Sequence, residues 1–187
     1  MADQYDILED AVRDIYMRAL WSHKVQEKQA DIYNSRYNWL KIFDILFTVA
    51  AAIGVTSVFK FDCQWIKILA IVFSFISAFI TFYLNAFDLI QLTRTHKETA
   101  NKLLIIRNEI MGLLTSIKLK ETAVKDIEEI YHTLIYKANG VYKEAPQTTD
   151  KALNKAEKAL KVSKDNTFTD EEIDSYLPEN LRKGKQL

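Results

Sequence analysis

The chain is poor in the residues that break helices and in those that build enzymes. It has two prolines, four glycines, three histidines and one cysteine in 187 residues. The lone Cys63 excludes an internal disulfide. The glycines, Gly54, Gly112, Gly140 and Gly184, stand too far apart for a phosphate-cradling loop. His23, His96 and His132 fall in three separate segments and form no paired-histidine metal motif. They read as surface or packing residues rather than ligands. No segment alternates apolar and polar residues between turn signals, which argues against strands. No basic stripe with interleaved aromatics suggests nucleic-acid readout. The N-terminus lacks a secretion signal, since Asp3, Asp6, Glu9, Asp10, Arg13 and Asp14 precede any apolar run. No enzyme, no cofactor and no nucleic-acid partner is expected.

What the chain does have is two long apolar stretches. The first runs from Ile42 to Phe59 with Asp44 as its only charge, and the second from Ile68 to Phe87 with none. At 1.5 Å per residue they are roughly 27 and 30 Å long as helices, the thickness of a hydrocarbon core. Lys60 to Lys67 between them is too short for a folded domain. A formal net charge of zero conceals this, because the average mixes two apolar helices with strongly charged flanks. The expected fold is an all-α membrane protein. It has a two-helix transmembrane hairpin, an N-terminal amphipathic helix and a cytoplasmic antiparallel helical hairpin. The divisions are 1–38, 39–88 (spans 42–59 and 68–87), 89–140 and a charged tail, 141–187.

Orientation follows from lysine and arginine near the spans. Lys24, Lys28, Arg36 and Lys41 precede the first, and Arg94, Lys97, Lys102 and Arg107 follow the second. The loop offers only Lys60 and Lys67. Both termini are therefore expected in the cytoplasm. Tyr37, Trp39, Phe43, Tyr83 and Phe87 would anchor the inner side, and Phe59, Phe61 and Trp65 the outer turn. Cys63 then lies across the membrane from every histidine, which excludes a Cys–His nucleophilic pair.

The flanks read as helix. Leu8, Val12, Ile15 and Ala19 share one face, whereas Ser22 to Arg36 is more polar and is expected to pack only in part. Leu103, Ile106, Ile110, Leu113 and Ile117 step by three and four, the spacing of a helix-packing seam, and are assigned as a cytoplasmic and oligomer seam. With no proline or glycine from Phe87 to Met111, one helix could run from Ile66 to Ile117 as a stalk. After a break near Lys118 to Glu121, Val124, Ile127, Tyr131, Leu134 and Ala138 repeat the spacing, with Asn139-Gly140 as the stop. Pro146 marks a linker. Leu153, Ala156 and Leu160 give a thin apolar face to the next segment, and Thr169 with Glu172 has capping-box spacing.

Ser74, Ser77, Thr81, Asn85 and Asp88 fall on one face of the second span. Polar groups in hydrocarbon are costly unless paired or wet, so this stripe should not face lipid. It is either an interhelical contact built on small hydroxyls or the lining of an aqueous path. The first span has its own small-residue seam, Thr48, Ala52 and Thr56, with Ala50 and Gly54 beside it. Asp44 and Asp88 are expected at similar depth near the cytoplasmic side. They form either local ion pairs, such as Asp44 with Lys41, or an acidic pore mouth that favours cations.

Several stretches carry a family resemblance. They are Ala19-Leu20-Trp21-Ser22-His23-Lys24, Arg36-Tyr37-Asn38-Trp39-Leu40, Thr95-His96-Lys97-Glu98-Thr99-Ala100-Asn101-Lys102-Leu103 and Arg107-Asn108-Glu109-Ile110. With the helix, hairpin, helical-hairpin order, residues 5–140 resemble the SLATT family. These are two-transmembrane effector domains associated with SMODS and SLOG nucleotide-signalling conflict systems of bacteria. The resemblance implies an inner-membrane effector in antiviral defence that oligomerises and permeabilises the bilayer when triggered. The trigger would be an upstream sensor protein or a nucleotide second messenger. The alternative is a non-conducting membrane scaffold that recruits a cytoplasmic partner.

Overall fold

The computed structural model describes residues 4–58, 63–120, 122–165 and 167–183. Every regular element among them is helical. In chain order they are α1 (Gln4–Val58), α2 (Gln64–Ala86), α3 (Leu89–Leu119), α4 (Val124–Glu144), α5 (Asp150–Lys161) and α6 (Asp170–Tyr176), followed by a 3-10 turn at Glu179–Leu181. Phe59, Lys60, Phe61, Glu121 and Gly184 lie outside the described residues.

α1 is a single helix of 55 residues, roughly 80 Å long at 1.5 Å per residue. No proline or glycine interrupts it before Gly54. It therefore carries the polar N-terminal segment and the first apolar stretch on one rod. Its last third packs against α2 to form an apolar end. Its first forty residues join α3, α4 and α5 to form a polar end. Two helices are long and apolar enough to cross a membrane, and the apolar window of each is mostly unburied within the chain. A soluble core helix would be covered.

The polar end is built on the row read from the sequence. Leu103, Ile106, Ile110, Leu113 and Ile117 are all buried within the chain. The last four pack with Val12 and Ala19 of α1 and Ile127, Leu134 and Ala138 of α4. Three apolar helix faces close on one another, the arrangement that best removes such stripes from water. The row is thus used inside one chain, and no part of it is left open to a second copy.

Two local expectations need correction. The helix from Ile66 to Ile117 is not continuous. It breaks at Phe87–Asp88, where Asp88 is the N-cap of α3 and its Oδ1 accepts from the Gln91 backbone N–H at 2.8 Å. A carboxylate at that position satisfies an orphan amide of the first turn. Next, Asn139-Gly140 does not stop α4, which runs on to Glu144. Pro146 sets the end instead, because the residue before a proline is pushed out of the helical region, and Ala145 lies at φ −63, ψ 131. The polar stretch after Ala19 packs in part, as expected: His23, Lys24, Gln26, Gln29 and Ala30 are buried, while Asp31, Asn34, Ser35 and Arg36 are exposed. α3 and α5 both pack onto it. The turn after α3 begins at Lys120, in the left-handed region at φ 54. The Thr169–Glu172 capping box forms and opens α6.

Candidate functional site

The apolar hairpin is the candidate site, and its organiser is Asp44. This carboxylate is 7% exposed although it sits on an apolar helix. Its Oδ1 accepts from Ser77 Oγ at 2.7 Å and from Thr81 Oγ1 at 3.1 Å, both on α2. Its Oδ2 lies 3.5 Å from the Lys41 ammonium, one turn earlier. Thr48 Oγ1 donates to the Asp44 carbonyl at 2.8 Å and lies 2.7 Å from Ser77 Oγ. A charge in an apolar setting is tolerated when paired and hydrogen-bonded in this way. The α2 stripe thus meets α1 at Ser77 and Thr81.

The other stripe residues are placed differently. Ser74 donates back to the Ala70 carbonyl of its own helix at 2.8 Å, which satisfies its hydroxyl without a partner helix. Asn85 is exposed near the end of α2 and its side chain makes no hydrogen bond among the described residues. Asp88 lies outside the helix as the α3 cap. Asp44 and Asp88 are not at one depth: Asp44 faces Ser77 and Thr81, and Asp88 follows Thr81 by seven residues. The two carboxylates are not brought together.

The two spans approach closely where Gly54 meets Ala70. A Cβ on Gly54 would lie 2.7 Å from the Ala70 Cβ. Beside this contact runs an open groove of about 590 Å³, lined by Thr48, Ala51, Ala52, Val55, Thr56, Ser74, Ser77 and Ala78. Ala52 and Thr56 are therefore the wall of a groove rather than the helix contact, whereas Thr48 lines the groove and also meets Ser77 across the contact. Ala51, one position before Ala52, and Gly54 fill the contact. Phe75, Phe79 and Phe82 project from α2 elsewhere and are strongly exposed.

Asp44→Ala is expected to loosen the hairpin by about 1–3 kcal/mol, since interhelical hydrogen bonds in membranes average about 0.6 and reach about 1.7 each. Asp44→Asn keeps an acceptor oxygen and should lose less. Thermal melts of both variants in one detergent test this. Equal losses would mean that the hydroxyl pairing contributes nothing.

A polar belt at the other end escaped the sequence reading. Gln26 Nε2 donates to the Pro146 carbonyl at 3.1 Å, while its Oε1 meets His96 Nδ1. Gln29 Oε1 accepts from the Thr149 N–H at 2.9 Å and its hydroxyl at 2.8 Å. Lys24 pairs with Glu27 at 2.7 Å and Asp165 at 3.4 Å. These contacts strap the segment after α4 onto α1. His23 lies 2.9 Å from the Ala100 carbonyl through Nδ1. Burial holds the pKa of both His23 and His96 below the ordinary histidine value. They are packing residues in the described structure, whereas His132 is on the surface. The signal for the belt was long-range: glutamines on α1 facing a linker about 120 residues later have no local signature.

One protein-family model matches the chain, over residues 8–172, and is described as SMODS and SLOG-associating 2TM effector domain family 4. No curated protein and no solved structure matches the chain.

Proposed function

This chain belongs to the SMODS and SLOG-associating two-transmembrane (SLATT) effector domains, family 4, and on that premise we propose that it oligomerises and permeabilises the inner membrane of a bacterium when triggered. Membership makes it a membrane effector of conflict systems, working beside a sensor. Conductance is the further step, and the groove between the spans supports it. Its wall of small residues, Thr48, Ala51, Ala52, Ser74, Ser77 and Ala78, lets another helix approach closely. Several hairpins closing on such grooves would bring their Asn85 amides and Asp88 carboxylates around one axis. The Asn85 side chain has no hydrogen bond to lose among the described residues, so it is free to line a wet path. Asp44 keeps its hydroxyl partners and holds each hairpin together.

The cytoplasmic placement of both termini rests on the charge imbalance across the spans. Cys63 should then react with an impermeant thiol reagent added outside spheroplasts, and a Cys63→Ser protein should be silent. Labelling only after lysis would reverse the orientation.

The scaffold reading differs at Asn85. If Asn85 lines a path, Asn85→Leu should abolish ion leakage from liposomes while the assembly keeps its size. Asp88→Lys should keep leakage but move it away from cations, because the mouth potential changes sign. If Asn85 is an interhelical bond in a scaffold, its replacement should cost roughly 0.6–2 kcal/mol of association and reduce the oligomer. Flux and particle size measured on the same preparations separate the two.

A further inference from the structure

A second site is built where α5 lies along α1. Gln29, Tyr33, Arg36 and Trp39 on α1 form one wall of a cleft of about 480 Å³, and Lys151 and Lys155 on α5 form the other. The Gln29–Thr149 bonds pin the start of α5 to this wall. Further along, the Lys161 ammonium stands 5.8 Å from the Trp21 ring. α5 therefore runs antiparallel to α1, with its N-terminus directed toward the apolar end. Ala152, Ala156 and Ala159 bury its other face. The lysines at 151 and 155 are left exposed, and neither has an ion-pair partner among the described residues.

The cleft ends at the edge of the apolar hairpin. Arg36 places its guanidinium 5.3 Å from the Tyr83 ring, and Tyr83 is near the last turn of α2. Trp39 is 59% exposed just before the first apolar stretch. An exposed tryptophan at that level sits where acyl chains give way to headgroups. Arg36, Lys151 and Lys155 converge beside it, with the positive end of the α5 dipole pointing the same way. Asp31, on the same stretch of α1, is taken up by Lys28 at 3.6 Å.

We propose that this α1–α5 cleft binds the phosphate of an anionic lipid headgroup. Arg36 supplies a planar, fixed donor pair, and the two lysines supply mobile charge from the opposite wall. Trp39 packs on the glycerol end of the lipid. Lipid is favoured over a free phosphate because the cleft's tryptophan end opens at the level of the bilayer surface. The site rests on the placement of the hairpin in a bilayer and is independent of whether the assembly conducts. It makes α5 a lipid-sensitive strap, seated on the glutamine belt at one end and on the membrane at the other.

The test uses the full chain in a neutral detergent, with short-chain phosphatidylglycerol, short-chain phosphatidylcholine and glycerol 3-phosphate as probes. Native mass spectrometry and melting temperature are the readouts. Phosphatidylglycerol should bind and raise the melting temperature, and phosphatidylcholine should do neither. Arg36→Gln/Lys151→Gln/Lys155→Gln should weaken phosphatidylglycerol binding by about tenfold or more, as expected when basic groups facing an anionic headgroup are removed. Lys151→Gln/Lys155→Gln gives the same reading on exposed side chains without altering α1. A control with equal charge removed at the far end, Lys118→Gln/Lys125→Gln/Lys137→Gln, should bind normally. Equal binding of the two lipids, or an equal loss in the control, would overturn the site. A full shift from glycerol 3-phosphate alone would overturn its assignment to lipid.

Discussion

Ile110→Asp/Leu113→Asp is expected to melt the polar end of the molecule. Ile110 is 0% exposed and Leu113 4%, and both stand in the core shared by α1, α3 and α4. Truncating such a side chain alone costs about 2–5 kcal/mol. An aspartate adds an uncompensated charge that must stay buried or force the helices apart. Two such changes approach or exceed the roughly 5–15 kcal/mol that holds a domain together. Helicity should fall and proteolysis after Asp88 should accelerate, with the apolar hairpin left in the membrane. Ile105→Asp, on the exposed face of the same helix, is the matched control and should be close to neutral. An unchanged circular dichroism spectrum for the double variant, with only the oligomer lost, would return this row to a contact between copies.

Gly54→Leu should separate the spans. The Ala70 methyl is already within 2.7 Å of where a Cβ would be, and it has no longer side chain to swing away. Relief must therefore come from the helix axes. Overpacking of this kind costs about 1–3 kcal/mol. The same movement pulls Asp44 from Ser77 and Thr81, whose bonds are 2.7 and 3.1 Å in the native hairpin. Spin labels at Val55→Cys and Ile71→Cys, both exposed positions, in a Cys63→Ser background report the spacing. A longer distance and a lower melting temperature are expected. A Gly54→Leu protein with native spacing and stability would mean that the spans do not cross at this glycine.

The two apolar helices and the row from Leu103 to Ile117 were legible because each is a local signal. Length and hydropathy mark a span, and steps of three and four mark a face. The break at Phe87–Asp88 was hidden because an N-cap aspartate three residues after Asn85 continues the helical spacing of the stripe. The role of Asp44 was half legible. Lys41 as its partner is a local pairing, but Ser77 and Thr81 depend on how deep the two helices sit against each other. α5 was misread for a different reason. Its face was assigned to Leu153, Ala156 and Leu160, yet Leu153 is 46% exposed and the alanines at 152, 156 and 159 are buried. Alanine gives a weak hydropathy signal but the closest helix approach. The buried Gln26 and Gln29 likewise look like surface residues until the linker that satisfies them arrives from far along the chain.

Assembled copies of this hairpin are expected to pass ions. The direct measurement is ion flux from liposomes carrying wild-type protein, with assembly followed by particle size in the same vesicles and the upstream trigger present. Flux should be absent while the chain is a lone hairpin, should appear as larger particles form, and should rise more steeply than the protein-to-lipid ratio. Particles that assemble fully under the trigger and leave the ion gradient intact would contradict the account and leave the scaffold in its place.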